Sequence, residues 1–460
     1  MPRVHFLTNA VTMNDVANMC IACGGSPMMA EAVEEFAEII PRMDGLVLNT
    51  GTADSARWEK IVHAHRIAVT NDKPILFDPV GCSGSTFRLK RCLDLLNRGG
   101  VTVLKCNYNE AKALVQEQVN ANFFGVDSEQ ANLDTVQEWA KRLWEKYAKL
   151  HLGLVVVITG STDVIVSQYG CECVEGGAVQ QRYITGSGCM LGSLLMTKLC
   201  RHRLNPETKT DDHYVIKKGL VCMKRSSMMA AASIKDQRAL GNYKVHLLDH
   251  VAKRQGPIYL ITTEAKDADA FSKECLPKTK KAIEAGVTML QYRVKHKSWE
   301  EKLFESRQLQ KLARDHGVTF IINDDLELAK TIGANGIHLG RNDCSVARAR
   351  QMLGPLAVIG ATAKTVEQAC RAMEQGASYL GVGALFPSPT KPDALAMNLH
   401  TLEEIHAHVP LPLYGIGGVT QEKLSSQYTE LLDGVAMVSA VYKENTENIF
   451  NVINAFQQLF

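Results

Sequence analysis

A turn of four small residues, Gly186-Ser187-Gly188-Cys189, leads directly into an apolar segment of helical length. Exposed backbone N–H groups and the positive end of the helix dipole would receive an anion at such a turn. If this turn is a ligand-binding site, its ligand would be a phosphate group. A flexible loop before a buried helix has the same composition, so the motif alone leaves both interpretations open.

Two acidic residues and a second small turn support a phosphate site. Asp78 ends the apolar run PILFDPVG, and Glu110 comes just after the run TVLKCN. A phosphoryl-transfer enzyme needs Mg²⁺, and carboxylates together with water suit that hard ion. Glu110 could instead cap the helix that follows it. Thr159-Gly160, at the end of LVVVITG, resembles another phosphate-facing turn.

A second group of polar residues ends apolar runs in the C-terminal half. Gln291, Arg293 and Lys295 occupy alternate positions, and we expect them to point one way from a strand end as an anion-binding face. Asp324 and Asp343, with Asn323, suit Mg²⁺ bound to a diphosphate. Further small, hydroxyl-bearing or cationic residues follow the later runs: Thr362, Ser388, Thr390, Lys391, Gly417, Gly418 and Ser439.

Eight apolar runs position this second group. They begin at residues 257, 287, 319, 336, 357, 379, 411 and 434, and each is followed by a connection of helical length. Near-continuous apolar runs are typical of buried parallel strands, and eight of them predict a (β/α)₈ TIM barrel. The polar residues then share the C-terminal rim, where this fold places its active sites. Gly417, Gly418 and Ser439 would form the phosphate pocket that the fold often has at its last strands.

The first half also alternates strands and helices, but it has fewer apolar runs than the second half. Apolar runs beginning at residues 45, 74, 102, 154 and 164 predict five strands of an open, layered α/β sheet. Ligands of such sheets lie beyond the carboxyl ends of the strands. The polar, basic stretch from about Asn242 to Pro257 ends in Gly-Pro, which is a strong local break. We therefore expect two domains, residues 1–250 and 257–460.

The composition of the 460 residues limits the classes of partner. A formal charge of +2 predicts no general attraction to nucleic acid or acidic membranes. The 13 cysteines show no CxxC pair and no zinc spacing, which favours free thiols in a reducing cytoplasm. No apolar run is long enough to cross a bilayer. We expect a cytoplasmic protein whose partners are small molecules.

The N-terminal half, from Val4 to about Leu247, resembles hydroxyethylthiazole kinase, an enzyme of the ribokinase-like fold. The matching strings, in the family's order, are TNAVTMNDVAN, GGSPMMAEA, VLNTGT, DPVGCSGSTFR, NYNEAKAL, GVDS, ITGSTD and TGSGCMLG. The resemblance implies transfer of a phosphoryl group from ATP to the hydroxyl group of hydroxyethylthiazole, with Mg²⁺ as the metal ion.

The same resemblance implies roles for individual residues. Asp78 and Glu110 would bind Mg²⁺, and Met29 would contact the thiazole. Lys105, where the family has an arginine, and Thr159 would lie near ATP.

The turn before the apolar segment resembles the family's anion hole. It consists of Gly186, Ser187, Gly188 and Cys189, and Cys189 takes the place of the catalytic thiol. A thiol pKa of about 8.5 is lowered at a helix N-terminus, so Cys189 could accept the proton of the attacking hydroxyl group. We expect Cys189 to position and assist, while the backbone N–H groups and Mg²⁺ do most of the catalysis.

Residues Ile258 to about Leu459 resemble thiamine-phosphate synthase. The matching strings are YLIT, LQYRVK, FIINDDLELA, GANGIHLGRND, VIGAT, YLGVGALFPSPTK, YGIGGVT and VAMVSAV. The resemblance implies condensation of thiazole phosphate with hydroxymethylpyrimidine diphosphate, which gives thiamine phosphate and pyrophosphate.

In this second resemblance Asp324 and Asp343 hold Mg²⁺, and Thr362, in place of a serine, lies near the diphosphate. The residues implied to bind the pyrimidine diphosphate are Gln291, Arg293, Lys295, Asn323 and Lys391. Those implied to receive thiazole phosphate are Ser388, Thr390, Gly417, Val438 and Ser439. His338 is expected to pack against its neighbours or to orient the GRND loop.

Two other interpretations stay open. One half could bind a ligand or regulate while the other half catalyses, and Lys105-Cys106, in place of the family's Arg-Gly, makes the kinase half the candidate. The barrel could also be the related thiazole tautomerase. Four residues argue against that enzyme, because a tautomerase needs no metal–diphosphate site: Asn323, Asp324, Asp343 and Lys391.

The resemblance also implies an assembly. Thiazole kinases are similar to one another in forming trimers with sites between subunits, so we expect a homo-oligomer based on a trimer.

Overall fold

The computed structural model describes residues 1–119, 132–204, 211–234, 236, 238–254, 258–387, 396–457 and 459. These residues form two compact units, Met1–Lys253 and Arg254–Phe460. Within the described ranges, no helix combines the length and the apolar character needed to span a bilayer.

The first unit contains an eight-stranded sheet in the order β2-β1-β3-β4-β5-β6-β7-β8. Neighbouring strands from β2 to β6 are parallel, and β7 and β8 form antiparallel pairs at one edge. The strands are β1 Arg3–Leu7, β2 Ser26–Met28, β3 Gly45–Asn49, β4 Ile75–Asp78, β5 Val103–Asn107, β6 Val155–Thr159, β7 Asp163–Ser167 and β8 Gly170–Val174.

Helices cover both faces of this sheet. The α-helices in the described residues are α1 Met13–Ala22, α2 Phe36–Ile39, α3 Ser55–Thr70, α4 Thr86–Leu96, α5 Tyr108–Gln116, α6 Leu133–Tyr147, α7 Ser187–Arg203, α8 Asp212–Ala232 and α9 Leu240–Lys253. Buried side chains of α2 to α6 pack on one face, whereas those of α1 and α7 to α9 pack on the other. Alternate residues of each strand enter the two cores, as the period of a strand requires. Leu46 and Leu48 enter the first core, and Val47 between them enters the second.

The five predicted strands all form, as β3 to β7, but the predicted count of five was wrong. The additional strands are β1, β2 and β8. β1 contains a buried histidine, His5, and begins with an exposed arginine, while β2 has only three residues. β8 lies at the edge of the sheet and alternates between exposed and partly buried residues. None of the three has the continuous apolar sequence used to identify the others.

The second unit is a closed barrel of eight parallel strands, which confirms the predicted (β/α)₈ fold. The strands are β9 Ile258–Ile261, β10 Met289–Tyr292, β11 Thr319–Asn323, β12 Gly336–Leu339, β13 Val358–Ala363, β14 Tyr379–Gly383, β15 Leu413–Ile416 and β16 Gly434–Met437. The helices are α10 Ala268–Ala270, α11 Leu276–Glu284, α12 Trp299–Asp315, α13 Leu326–Ile332, α14 Val346–Leu353, α15 Val366–Glu374, α16 Leu399–His408, α17 Ser426–Leu431, α18 Ser439–Tyr442 and α19 Ile449–Gln457.

The boundary between the units is narrower than the polar stretch from Asn242 to Pro257. Most of that stretch is helical, because α9 extends to Lys253. The next residue, Arg254, donates from Nη1 to Asp433 Oδ1 at 2.6 Å and therefore belongs to the barrel unit. The polar residues of this stretch therefore lie mostly on a helix and not in a linker.

Candidate active sites

The anion-binding turn lies at the N-terminus of α7, a helix of 17 residues. Gly186 precedes the helix in a left-handed conformation with φ +84°, and a Cβ atom there would lie 2.5 Å from Thr12 Cγ2. The first intrahelical bond runs from Met190 N to the Gly186 carbonyl oxygen at 2.8 Å. The N–H groups of the three residues between them are the orphan donors of the first turn, next to the positive end of the helix dipole. This geometry suits a phosphate oxygen.

The Cys189 thiol receives hydrogen bonds from two buried carboxamides. Asn9 Nδ2 lies 3.4 Å and Asn49 Nδ2 lies 3.3 Å from Cys189 Sγ. The Thr12 backbone N–H donates to Asn9 Oδ1 at 3.1 Å, which orients that amide with its N–H₂ group toward the sulfur. We did not predict either asparagine. The sequence feature that could have indicated them is their position: Asn9 follows β1 and Asn49 ends β3, and these two strands are neighbours in the sheet.

Burial raises the pKa of the Cys189 thiol, and the Asp78 carboxylate adds to the increase. Lys105 and the hydrogen bond from Asn49 act in the opposite direction but do not outweigh it. The expectation that the helix N-terminus lowers the pKa of this thiol was therefore wrong, because it left out burial and the nearby carboxylate. The thiol form predominates in this arrangement.

Asp78 and Lys105 form a buried ion pair beside the turn. Lys105 Nζ donates to Asp78 Oδ2 at 2.7 Å and to the carbonyl oxygen of Gly188 at 3.0 Å. Asn49 Nδ2 also donates to Asp78 Oδ2, at 3.0 Å. The other oxygen, Asp78 Oδ1, is buried with no hydrogen-bond partner. Such an oxygen fits a metal ligand, because an orphaned carboxylate oxygen is costly to bury.

Glu110 caps helix α5, which was the alternative role that the sequence allowed. Its Oε2 accepts from Asn107 N at 2.8 Å and its Oε1 accepts from Gly81 N at 2.9 Å. Burial, followed by the charge of Asp78, raises the pKa of Glu110 to about 7. Among the described residues, no three His, Cys, Asp or Glu side chains converge as a complete metal cluster. Two carboxylates completed by water and phosphate oxygens are what Mg²⁺ commonly uses.

The Thr159-Gly160 turn is held by a lysine that we did not predict. Lys224 Nζ, from α8, donates to the carbonyl oxygens of Gly160 and Ser161, both at 2.9 Å. Asp163 Oδ1 accepts from Gly160 N at 2.9 Å and lies 3.3 Å from Lys224 Nζ. Thr159 Oγ1 donates to the Cys106 carbonyl oxygen at 3.3 Å. The remaining residue expected in this unit, Met29, follows β2 and packs partly buried on the core formed with α1 and α7 to α9.

Two carboxyl groups meet at the carboxyl end of β11 in the barrel. Asp324 follows the strand with φ 61°, and its backbone N–H donates to the His338 carbonyl oxygen at 3.0 Å. Asp343 Oδ2 accepts from Gly340 N at 2.6 Å. Burial and then the Asp343 carboxyl raise the pKa of Asp324 to about 6, whereas Asn323 and Arg293 act against the increase. Two facing carboxyl groups that raise a pKa in this way favour a bound cation.

Arg293 and Lys295 lie on a loop and not on a strand, which corrects the expected strand-end face. β10 ends at Tyr292, and only Gln291 is part of it. Two side chains hold the backbone of this loop. Arg293 N donates to Thr262 Oγ1 at 2.9 Å, and Lys295 N donates to Glu264 Oε2 at 3.1 Å. Lys295 is exposed, and Arg293 is partly buried.

His338 does not orient the GRND loop through its ring. Its Nδ1 lies 3.1 Å from Tyr379 Oη, and its Nε2 lies 3.0 Å from Thr362 Oγ1. Burial lowers the pKa of His338 to about 4, so the imidazole is neutral near pH 7. Of the two expected roles, the ring has the first, because it packs against Tyr259 and Tyr379 and also contacts Thr362, one of the predicted site residues.

The last predicted pocket lies between β15 and β16. Phe386 N donates to the Gly417 carbonyl oxygen at 3.0 Å, and this bond packs the loop after β14 against Gly417 and Gly418. Val438 precedes α18, and Ser439 begins it with an exposed side chain. Two other residues predicted for this pocket, Ser388 and Thr390, lie outside the described part of the chain, as does Lys391, which was predicted to bind the pyrimidine diphosphate.

Both units match known families. Residues 1–255 match the Hydroxyethylthiazole kinase family, and residues 258–441 match Thiamine monophosphate synthase. The thiamine biosynthesis bifunctional protein ThiM/ThiE of Symbiobacterium thermophilum is 29% identical over an alignment that covers 96% of this chain and 92% of that protein.

Single-function relatives match each unit separately. The hydroxyethylthiazole kinase of Alkaliphilus metalliredigens is 33% identical over 251 residues, which cover 54% of this chain and 86% of that kinase. The thiamine-phosphate synthase of Clostridium perfringens is 43% identical over 192 residues, which cover 42% of this chain and 90% of that synthase. The two resemblances found in the sequence are thereby confirmed. This chain belongs to the hydroxyethylthiazole kinase family and continues into a thiamine monophosphate synthase domain, so that one polypeptide joins the two enzymes.

Proposed function

We propose that the two units catalyse consecutive steps of thiamine phosphate synthesis. The first unit phosphorylates hydroxyethylthiazole with ATP, and the second condenses the resulting thiazole phosphate with hydroxymethylpyrimidine diphosphate. The observation that supports the proposal best is the convergence of Cys189, Asp78 and Lys105 at the N-terminus of α7. A phosphate-binding turn beside a buried carboxylate and a thiol suits phosphoryl transfer to a hydroxyl group.

In the kinase step, the hydroxyl oxygen attacks the γ-phosphorus of ATP and ADP leaves. The orphan N–H groups at the start of α7 are placed to bind the equatorial phosphate oxygens. Asp78 and Glu110 would hold Mg²⁺, which neutralises charge on the phosphate oxygens. Cys189, whose sulfur accepts hydrogen bonds from Asn9 and Asn49, is placed to position the hydroxyl group. Only its minor thiolate form could take up the hydroxyl proton. Because burial raises the pKa of this thiol, most of the rate enhancement comes from the turn and the metal ion.

The other kinase residues position the two substrates. Lys105 holds Asp78 and the Gly188 carbonyl oxygen in place, and its charge lies close to the phosphate turn. Thr159 and its turn contact ATP, supported by Lys224. Met29 contacts the thiazole ring.

In the synthase step, pyrophosphate leaves the pyrimidine methylene carbon, and the thiazole nitrogen forms the new C–N bond. Arg293, Lys295 and Lys391 stabilise the departing diphosphate by their charge. Asp324 and Asp343 would hold Mg²⁺, a role that fits their facing carboxyl groups. No strong base is needed, because the nucleophilic nitrogen has no proton to lose. Gly417, Gly418, Val438 and Ser439 receive thiazole phosphate.

We further propose a physiological setting for the two reactions. The substrates are small molecules, and no contact with nucleic acid or membranes is required. A cytoplasmic, trimer-based homo-oligomer with Mg²⁺ in both sites is the form in which we expect the protein to work.

The decisive experiment supplies hydroxyethylthiazole, ATP, Mg²⁺ and hydroxymethylpyrimidine diphosphate to the full chain and measures thiamine phosphate. Product that depends on ATP establishes both steps. Asp78→Asn should abolish product from the alcohol but not from thiazole phosphate, whereas Asp343→Asn should abolish both when Mg²⁺ is limiting. Mixing the two variants should restore product from the alcohol.

A competing proposal keeps one catalytic unit and makes the other a binding module. Lys105 favours it, because a buried ion pair with Asp78 leaves its ammonium less free to contact ATP than an arginine fork would be. Product from thiazole phosphate but none from the alcohol, even with saturating ATP, would support that proposal and contradict ours.

A further inference from the structure

A chain of hydrogen bonds crosses the interior of the barrel. Gln291 Nε2 donates to Tyr259 Oη, and Tyr259 Oη lies 2.7 Å from Tyr379 Oη. Tyr379 Oη lies 3.1 Å from His338 Nδ1, and His338 Nε2 lies 3.0 Å from Thr362 Oγ1. The five side chains come from five different strands, and residues at both ends belong to the proposed substrate site.

Glycines on two strands leave room for this chain. A Cβ atom at Gly360 would lie 2.1 Å from Tyr379 Cζ and 2.5 Å from His338 Nδ1. A Cβ atom at Gly381 would lie 3.1 Å from His338 Cε1. A side chain at Gly360 would therefore displace the contact between the phenol and the imidazole. The absence of a side chain at Gly360 thus leaves the space that the Tyr379 and His338 rings occupy.

The first donor sets the direction of every bond that follows. An amide nitrogen has no acceptor lone pair, so Tyr259 Oη accepts from Gln291 and gives its own proton to Tyr379 Oη. Tyr379 then donates to His338 Nδ1, and the imidazole proton must be on Nε2. The Nε2–H group donates to Thr362 Oγ1. The hydroxyl proton of Thr362 is therefore not used by histidine.

The direction matters for an anionic ligand. A diphosphate in its ionised form presents acceptor oxygens only, so it is bound by donors. With the opposite tautomer, Nε2 would accept the Thr362 proton, and the threonine would present a lone pair to the phosphate oxygen. With the Nε2–H tautomer, the same hydroxyl group is free to donate to that oxygen.

From this geometry we propose that His338 is a positioning residue whose Nε2–H tautomer, fixed by the Gln291–Tyr259–Tyr379 chain, makes Thr362 a hydrogen-bond donor to a diphosphate oxygen of the substrate. This role rests on the proposed synthase function of the barrel. His338 acts through Thr362 and touches no reacting atom. Gln291, at the other end of the chain, is also proposed to bind the pyrimidine diphosphate. The chain therefore connects two residues of one substrate site, Gln291 and Thr362.

The tautomer can be measured without any substrate. In the full chain labelled with ¹⁵N-histidine, the His338 signals are assigned by their loss in His338→Gln, and the ring couplings show which nitrogen has the proton. We expect the proton on Nε2. A predominant Nδ1–H tautomer would mean that the chain runs in the opposite direction and would overturn the proposal. This measurement stands even if the protein has no synthase activity.

Steady-state kinetics then test the functional consequence. Tyr379→Phe removes the donor to Nδ1, and we expect the KM for hydroxymethylpyrimidine diphosphate to rise on the order of tenfold, with a smaller change in the KM for thiazole phosphate. Thr362→Val should have a similar effect. Adding Tyr379→Phe to Thr362→Val should have no further effect on that KM, because the tyrosine acts through the threonine.

Tyr442→Phe is the matched control, since it removes another buried phenol bond, to Thr279 Oγ1 at 2.7 Å, outside this chain. It should leave both KM values unchanged. Additive effects of Tyr379→Phe and Thr362→Val would show that Tyr379 has only a structural role. His338→Gln, whose amide nitrogen can still donate to Thr362, should retain more affinity for the diphosphate than His338→Leu, and equal losses in the two variants would also overturn the proposal.

Discussion

Lys105 and Asp78 form an ion pair of 2.7 Å whose side chains are 5% and 1% exposed. The pair is placed between two functional elements, because Lys105 also donates to the Gly188 carbonyl oxygen of the α7 turn. Asp78 in turn accepts from Asn49, which also donates to the Cys189 sulfur. One buried ammonium group thus connects the proposed metal ligand to the anion-binding turn and, through Asn49, to the thiol.

Removing Lys105 should destabilise the first unit as well as slow the kinase. Lys105→Met leaves the Asp78 carboxylate buried without its cation, which costs about 3–5 kcal/mol in comparable buried pairs. The double variant Lys105→Met/Asp78→Asn should recover much of that stability but no kinase activity. Urea unfolding followed by a probe in the first unit measures the stability change. Lys90→Met, on the exposed surface of α4, is the control. A destabilisation in Lys105→Met no greater than that of the control would contradict the buried pairing.

The Cys189 thiol should assist the kinase reaction without being indispensable. Because its pKa is raised, we expect Cys189→Ala to lower kinase kcat by roughly a hundredfold, near the low end of what general base catalysis contributes. Asn49→Ala should lower kcat further, since it removes a donor to both Asp78 and the sulfur. Cys171→Ala, on the edge strand β8, should keep full activity. An unchanged kcat in Cys189→Ala would remove this thiol from the mechanism.

Lys224 should affect the binding of ATP and not the binding of the thiazole. Its ammonium group is buried and holds the carbonyl oxygens of Gly160 and Ser161, so Lys224→Met releases the turn that follows Thr159. We expect the KM for ATP to rise about tenfold, while the KM for hydroxyethylthiazole stays within about twofold, as for the loss of charge-assisted hydrogen bonds at one subsite. Lys224→Arg should restore part of the effect. A parallel rise of both KM values would indicate general loss of the fold.

The barrel, and the position of several predicted residues at its strand ends, could be predicted from the sequence because both depend on local patterns. Each strand of the barrel is a continuous apolar run, and the residue that ends it lies on the rim. Asp324 and Asp343 follow β11 and β12, and they meet for that reason alone. Arg293 and Lys295 were assigned to a strand because alternation does not show where a strand ends. Only the structure places their backbone on a loop held by Thr262 and Glu264.

The kinase site was less predictable because its supporting residues come from distant positions. Asn9, Asn49 and Lys224 are ordinary polar residues in sequence, and their roles depend on which strands become neighbours. The sequence of one strand does not show which strands become its neighbours in an open sheet, whereas the strands of this barrel follow one another in sequence order. The pKa of Cys189 was also misjudged, since burial depends on the whole unit and not on the local helix.

The dependence of the synthase on Mg²⁺ should change with pH near 6. The pKa of Asp324 is raised from 3.8 to about 6 by burial and by the Asp343 carboxyl, so below that pH the folded protein holds the proton more strongly than the unfolded chain. Without Mg²⁺, the stability of the barrel should therefore decrease as the pH rises from about 4 to 6. Binding of Mg²⁺ needs the ionised pair, and so the apparent Mg²⁺ affinity of the synthase step should increase over the same range.

Asp343→Asn tests whether the neighbouring carboxyl is responsible for this pH dependence. Removal of one negative charge should lower the pKa of Asp324, so that the pH-dependent loss of stability without Mg²⁺ moves to lower pH, while Mg²⁺ binds more weakly at pH 7. Thermal unfolding in EDTA and the Mg²⁺ dependence of thiamine phosphate formation from thiazole phosphate measure the two effects separately. Asp315→Asn, on the exposed end of α12, should change neither. If the pH profile of Asp343→Asn matched that of the unaltered protein, the two carboxyl groups would not be acting on each other, and a shared Mg²⁺ site between them would lose its main support.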